Sequence, residues 1–364
     1  MNKENTSSQI DSTPLPTREG QGGGSVGDKP ILVLRLSALG DVAMTIPAIY
    51  SVARAWPQRH FVVVTSAFCA RLFIGRPENV EVIGLSKEES KGLMGTWRLL
   101  RRLMKMDVCA VADLHNVLRS WVIDAAFRLC GKPVAMLDKM RGERRDILAH
   151  RKPTCRPVVM RYFDVFARLG LPAEPQFDSV FAELPPLPAG LPSKQGHWIG
   201  IAPFARYRNK MCATEELRQF AIKPAVKDLG EKGQSVDSQN VEVFLFGARG
   251  KEAETLAAWA EGQPHIHVVA GTLPIEEELA LMAHLDVMMS MDSANMHLAS
   301  LVGTRVISFW GSTTPACGFL GWNQKQEDAV SRGLDCQPCT IAGSEHCPLK
   351  TYACLQLSRR PSAD

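Results

Sequence analysis

No uninterrupted apolar run in this 364-residue sequence approaches the ~18 residues that a membrane-spanning helix needs. Charge of one sign is also scarce. The 42 Lys and Arg against 38 Asp and Glu leave a net charge of +4, too weak a basic excess to point to nucleic acid. No Asp-x-Asp segment occurs, and no short-period repeat. Residues 1–27 are rich in Ser, Thr, Gly and Gln and lack an apolar h-region, so residues 1–28 read as a disordered leader and not as a signal peptide. A cytoplasmic location follows as the default expectation. A hydrophobic fraction of 45% and a charged fraction of 22% are those of a globular protein, and the length suits two domains.

The sequence is organised around Ile31-Leu-Val-Leu-Arg-Leu-Ser-Ala-Leu-Gly-Asp-Val42. Ile31 to Leu34 are apolar enough for a strand buried on both faces. Ser37, Ala38 and Gly40 allow a tight turn and close approach of a ligand. Apolar residues then recur at helical spacing, at Val42, Ile46, Ile49, Val52 and Ala53. Asp41 thus falls at the carboxyl end of a predicted parallel sheet, where open α/β sheets bind ligands. Its alternative role is a helix N-cap. A dinucleotide fingerprint does not fit, because this turn holds one glycine. Pro47 leaves two arrangements open: Thr45 caps a helix whose first turn contains Pro47, or the helix starts earlier and kinks.

Residues 61–65, 80–85, 108–114 and 133–137 read as further strands, with a basic amphipathic stretch at 97–106 and a helix over 117–129. Four prolines crowd Glu183 to Gly196, a linker composition. The expected division is a first domain over 29–185, a linker over 186–196, a second domain over 197–340 and a tail over 341–364. The second half repeats the grammar of the first. Strands are expected at 198–202, 241–246, 265–269, 287–291 and, last, 305–309. Helices are expected at 214–227, interrupted by Pro224, and at 251–261, 275–285 and 294–302.

Two further stretches carry chemistry. In Met291-Asp-Ser-Ala-Asn-Met-His-Leu-Ala299 a strand ends and a helix begins. Unpartnered amides with partial positive charge suit a diphosphate there. A helix capped by Asp292 or Ser293 is the alternative. His297 lies one turn past Ser293 on the same face, and alone it reads as a structural hydrogen-bonding histidine. In Gly200-Ile-Ala-Pro-Phe-Ala-Arg-Tyr-Arg-Asn-Lys210, Arg206, Arg208 and Lys210 follow a predicted strand. They read as phosphate ligands or as a solvated basic surface.

Arg35-Leu-Ser-Ala-Leu-Gly-Asp-Val42, followed by Pro47-Ala48, resembles the opening motif of the lipopolysaccharide heptosyltransferase family, glycosyltransferase family 9. Met291–Ala299 resembles its second motif, with Ala294 and Asn295 where Gly and Pro are usual. Gly200–Lys210 is similar to its donor-domain loop, with Lys210 in the place of the phosphate-binding lysine. Phe204 and Arg206 depart from that loop's small residues, and Cys212-Ala213 replaces a usual Trp-Pro. Gly311-Ser-Thr-Thr-Pro315 is similar to a Gly-x-Thr-x-Pro turn of the family.

The resemblance implies an α/β fold of GT-B architecture, with two doubly wound Rossmann-like domains facing a cleft. It implies an inverting glycosyl transfer from a nucleotide sugar, ADP-heptose by family expectation, to a lipopolysaccharide core or lipid A-type glycolipid. Asp41 is then the base that takes the acceptor proton. Asp113 and Asp124 fit strand and helix positions and are weaker candidates. Lys210, Arg206, Ser293, Ala294, Asn295 and His297 are placed at the donor and its diphosphate, and Asp292 at the donor hydroxyls. No metal is then required, which the missing Asp-x-Asp suits. Arg119, Lys139, Arg141, Arg144 and Arg145 of the first domain are candidates for anionic groups of the acceptor or of the inner-membrane face, a solvated surface being the alternative for each. The expectation is a monomer, cytoplasmic or peripheral to the inner membrane. A non-transferring epimerase or hydrolase and a silent nucleotide-binding module are the competing readings.

Ten cysteines are present, and six of them, Cys69, Cys109, Cys130, Cys155, Cys212 and Cys317, stand singly as reduced small residues. Cys336, Cys339, Cys347 and Cys354 cluster, with His346 nearby. They read either as a structural zinc site or as ordinary thiols.

Overall fold

A computed structural model describes residues 29–89, 92–224 and 240–356. The expected leader, and residues 225–227 of the expected 214–227 helix, lie outside the described residues. Two all-parallel sheets carry the chain. The first runs in the order β3-β2-β1-β4-β5, built from β1 (Ile31–Leu34), β2 (Phe61–Ser66), β3 (Val80–Leu85), β4 (Ala110–Asp113) and β5 (Val134–Met136). The second runs β11-β10-β9-β6-β7-β8, from β6 (His197–Ala202), β7 (Val241–Leu245), β8 (Ile266–Val268), β9 (Val287–Met291), β10 (Val306–Trp310) and β11 (Ala329–Ser331). This is the α/β architecture of two doubly wound units.

Strand β1 is apolar at every position because both its faces are covered. Ile31 and Val33 enter one core, Leu32 and Leu34 the other. Helix α1 (Leu39–Ala55) is apolar almost all round for a similar reason. It packs between the first sheet with α6 (Val158–Arg168) on one side and α10 (Ala294–Leu301) on the other. Every residue from Val42 to Ala53 is buried, and full burial of each Val or Ile stabilises by about 1.5–3 kcal/mol. One apolar core therefore runs from Val33 through α1 and α10 to Trp310 of the second sheet.

Helix α1 starts early and runs through Pro47, so the arrangement with Thr45 as cap is not found. The Thr45 hydroxyl instead donates to the Val42 carbonyl at 2.7 Å. The short α2 (Ala67–Ala70) follows β2, α3 (Gly92–Leu103) precedes β4, and α4 (Leu118–Leu129) and α5 (Arg141–Leu148) flank β5. In the second half α7 (Thr214–Ile222), α8 (Lys251–Ala260) and α9 (Ile275–His284) alternate with the strands. Residues 169–196 contain no helix or strand. They are tied to both halves, by Gln176 N–H to Ser51 Oγ (2.9 Å) and Val180 N–H to the Leu301 carbonyl (2.9 Å).

Besides the short α2, three elements go beyond the sequence reading. Helix α5 buries only Ile147 and is otherwise largely charged, so no apolar stripe announces it. Helix α6 has a clear stripe, with Val158, Val159, Tyr162, Phe163, Val165 and Phe166 buried. Strand β11 is three residues long and lies beyond β10, the expected last strand. It is held by Arg305, whose guanidinium donates to both oxygens of Asp328 at 2.9 and 2.6 Å.

Candidate active site

In each sheet the strand order reverses between the first and fourth strands, β1 and β4 in one and β6 and β9 in the other. Loops at such points diverge and leave a crevice. The two crevices face each other around a cavity of about 930 Å³. Gly40, Asp41, Phe68 and Arg71 line it from the first half. Phe204 to Tyr207, Lys210, Asp292 to Asn295 and His297 line it from the second.

Asp41 is the third residue of α1, and Ala38 holds the N-cap position, so the N-cap alternative for Asp41 is not what the structure has. Asp41 Oδ2 accepts from Arg35 Nη2 at 2.8 Å, and the Ala38 N–H approaches it at 3.5 Å. Arg35 is 6% exposed, and its Nη1 donates to the Leu114 carbonyl at 2.7 Å. The guanidinium is thus pinned between the ends of β1 and β4, and it holds one carboxylate oxygen. The Asp41 side chain stays partly open to the cavity.

Opposite it, Lys210 Nζ lies 2.7 Å from Asp292 Oδ2, and Thr313 Oγ1 donates to the same oxygen at 2.7 Å. Lys210 ends a short 3-10 turn after β6, and Asp292 directly follows β9. Asn209 shapes the turn. Its carbonyl accepts from Ser312 N–H, and its Oδ1 from Ser344 N–H, both at 2.8 Å. Gly343, at φ 93°, lies flat on the lysine; a Cβ there would stand 2.5 Å from Lys210 Cδ. The C-terminal segment is therefore a wall of the site, with Ile341 and Ala342 reaching the cavity.

Ser293 holds the N-cap position of α10 but makes no capping hydrogen bond; its Oγ lies 3.3 Å from Ser290 Oγ. The first amides of α10 are thus left uncapped by a side chain beside Ala294 and Asn295, both at the cavity. His297 is buried between the halves. Burial lowers its pKa to about 4, against the pull of the Asp292 and Asp41 carboxylates, so the ring is neutral near pH 7. Its Nδ1 has no partner among the described residues. Gly40 lets the helices meet here: a Cβ on it would lie 3.0 Å from His297 Cδ2 and 3.2 Å from Ala294 Cα.

Arg206 is exposed at the cavity with its guanidinium over the Tyr207 ring, 5.3 Å from the centroid. Arg208 turns away and stacks on Tyr352 at 4.7 Å. The structure does not bring Arg119, Arg141 and Arg144 to this cavity. Arg119 reaches the Glu89 carbonyl, and Arg141 is exposed at the start of α5. Arg144 stacks on Phe319, itself a cavity residue, at 5.7 Å. Asp113 and Asp124 are buried away from the cavity, and burial together with the Asp113 charge lifts Asp124 to about 8.

The zinc reading of the tail gains no support. Among the described residues no group of three or more His, Cys, Asp or Glu side chains is arranged to hold a metal ion. Cys336, Cys339, Cys347 and Cys354 are four free thiols. Cys354 is buried in the last 3-10 turn, where burial pushes its thiol up to about 11. Cys347 is held instead by backbone amides, chiefly that of Tyr352, which lower its pKa.

Several cavity residues escaped the sequence reading. Glu278 of α9 lines the cleft, and burial raises its pKa to about 7. In sequence it is one of three successive glutamates at a helix start, a pattern that reads as solvated. Arg71 and Glu276 join the two rims, with Arg71 Nε donating to Glu276 Oε1 at 2.6 Å. They are 205 residues apart, and no local signal pairs them.

Comparison with known proteins agrees with this fold. The family model described as glycosyltransferase family 9 (heptosyltransferase) matches residues 96–352. Lipopolysaccharide heptosyltransferase 1 of Pseudomonas aeruginosa is 26% identical over 325 residues, 85% of either chain. The lipopolysaccharide core heptosyltransferase OpsX of Haemophilus influenzae is 22% identical over 297 residues, 79% of this chain and 80% of that one. Among solved structures, the E. coli heptosyltransferase WaaC with ADP superposes with a TM-score of 0.60 at 18% identity, over 86% of this chain and 96% of that one.

Proposed function

The chain belongs to glycosyltransferase family 9, and from that premise we propose that this glycosyltransferase moves a heptose from ADP-heptose to a lipopolysaccharide core-type acceptor with inversion. The observation that carries the reading is the opposition of Asp41 to the Lys210–Asp292 pair across one cavity. The named relatives are lipopolysaccharide heptosyltransferases, and a related structure was solved with ADP.

In the proposed reaction Asp41 accepts the acceptor hydroxyl proton as that oxygen bonds to the anomeric carbon. The bond from that carbon to the diphosphate breaks on the opposite face. Lys210, Arg206 and the uncapped amides of α10 receive the diphosphate charge. Asp292 holds Lys210 in place and meets the donor through its remaining oxygen. His297, being neutral, packs and hydrogen-bonds without donating charge. The side chains supply the positive charge, so the reading requires no divalent cation. The first half receives the acceptor, and the second half the donor. Both walls come from one chain, so a monomer suffices.

The test is transfer from ADP-heptose to a heptose-deficient core acceptor, following ADP and glycosylated product together. Asp41→Asn should lower transfer by about 10²–10⁴-fold while ADP still stabilises the protein against heat. ADP release without product would indicate a hydrolase, and unimpaired transfer by Asp41→Asn would remove Asp41 from its role.

A further inference from the structure

Helix α3 has two apolar faces. Leu99, Leu100 and Leu103 enter the core against the first sheet. On the other side Leu93 is 91% exposed, Met94 65% and Trp97 57%. A helix on a soluble globule ordinarily places polar residues there. The neighbouring start of α4 repeats the anomaly, with Leu118 75%, Val122 49% and Trp121 40% exposed.

The two helices form one surface. Both cover the same face of the first sheet, Leu99 and Leu103 sharing a core with Ile123 and Phe127. Glu89 ties them together: its carbonyl accepts from Arg119 of α4, and its carboxylate from Arg102 of α3 at 3.2 Å. Following parallel strands, both helices begin at the carboxyl edge of the sheet, the edge that carries Asp41.

Charge identifies the occupant. Residues 92–106 contain four basic residues, Arg98, Arg101, Arg102 and Lys105, and no acidic one. Arg98 and Arg101 are exposed and form no salt bridge among the described residues; Glu88, just before the helix, is within electrostatic reach of Arg98. At 100° per residue Leu93, Trp97, Arg101, Met94 and Arg98 follow one another around the outer face. Apolar and aromatic side chains enter the acyl boundary of a bilayer while arginines reach its phosphates. A protein partner needs no such alternation, and neutral solvent does not repay the exposed tryptophans.

We propose that the outer face of α3, with the start of α4, docks the enzyme on an anionic phospholipid bilayer. The docked edge is the one where Asp41 meets the acceptor, so a membrane-anchored acceptor is presented to the cavity without leaving its leaflet. The inference deepens the proposed glycolipid transfer and rests on it only for the reason a bilayer is met.

The test uses full-length protein and vesicles of phosphatidylcholine with or without phosphatidylglycerol, with no donor or acceptor present. Wild type should sediment with the anionic vesicles only and be released by salt. The combined change Leu93→Ser, Met94→Ser and Trp97→Ser should lower the partition coefficient at least tenfold. Arg98→Gln and Arg101→Gln should each lower it about fivefold. All these variants should keep the wild-type melting temperature and the shift produced by ADP. Absence of wild-type binding, or variants that bind as wild type does, would overturn the proposal. So would a wild-type dimer that the serine variants turn into monomer, since a second copy would then be the occupant. Turnover of a detergent-free, water-soluble acceptor is measured separately, so a failed docking result leaves the transfer reading standing, and the reverse.

Discussion

Arg35 and Asp41 form a 2.8 Å ion pair in which the arginine is buried and the carboxylate partly open. The second arm of the guanidinium holds the Leu114 carbonyl at 2.7 Å. A planar fork can satisfy both, whereas an ammonium offers a point charge. Arg35→Lys should therefore lower kcat by about 10- to 100-fold through misplacement of Asp41, with ADP binding unchanged. Steady-state kinetics beside an ADP melting-shift series checks this, and a loss in ADP binding would contradict it.

The Lys210–Asp292 pair makes the simplest donor-site variant ambiguous. Lys210→Ala leaves the Asp292 charge buried with Thr313 as its remaining partner. That should cost about 3–5 kcal/mol of stability. Lys210→Met combined with Asp292→Asn should recover most of it without restoring ADP binding. Denaturant unfolding of the three proteins, read beside ADP titrations, separates folding from binding.

Gly40 is a steric prediction. In an isolated helix alanine would be favoured over glycine by about 1 kcal/mol. Here a Cβ would meet His297 and the Ala294 backbone, so Gly40→Ala should destabilise by about 1–3 kcal/mol. It should also widen the gap between Asp41 and the α10 amides and lower kcat. A more stable variant with unchanged kcat would mean the helices can part at no cost.

Stability should depend on pH through His297. Its folded pKa of about 4 lies below the ordinary 6.5 because burial disfavours the cation. Between those values the unfolded chain binds the proton and the folded one does not, so stability falls as pH drops from 6.5 towards 4, by up to ~3 kcal/mol. Glu278 has the opposite sign. Its folded pKa is raised to about 7 from 4.5 by burial, so its contribution is lost as pH rises through that window. Glu278→Gln should therefore raise the melting temperature at pH 8 more than at pH 5.

Much of the fold was legible because it is written locally. Ile31 to Leu34 and Val287 to Met291 are short apolar runs followed by turn residues and helical spacing, and the strand bounds read there are those found. Helix α5 was not legible, because an eight-residue helix that buries one side chain leaves no period to read. Three of the residues that share the cavity were readable as motifs, since strand ends and helix starts locate Asp41, Lys210 and Asp292. What the sequence could not carry was pairing across distance. Nothing local joins Arg71 to Glu276, or says that Asp292 holds Lys210. The cysteines show the limit from the other side: the four of the tail lie close enough to feel one another's charge, yet no three of them are arranged to hold a metal ion, and spacing in sequence does not distinguish the two.

The glycine that lies on Lys210 belongs to one of the last segments of the described chain. Gly343 and Ser344 lie beyond β11, so every strand of both sheets precedes them in the chain. Without them Asn209 lacks Ser344, one of the two partners that shape the turn, and Lys210 lacks its cover. A chain clipped before Gly343 would thus own both sheets and Asp41 yet leave the turn that carries Lys210 unsupported.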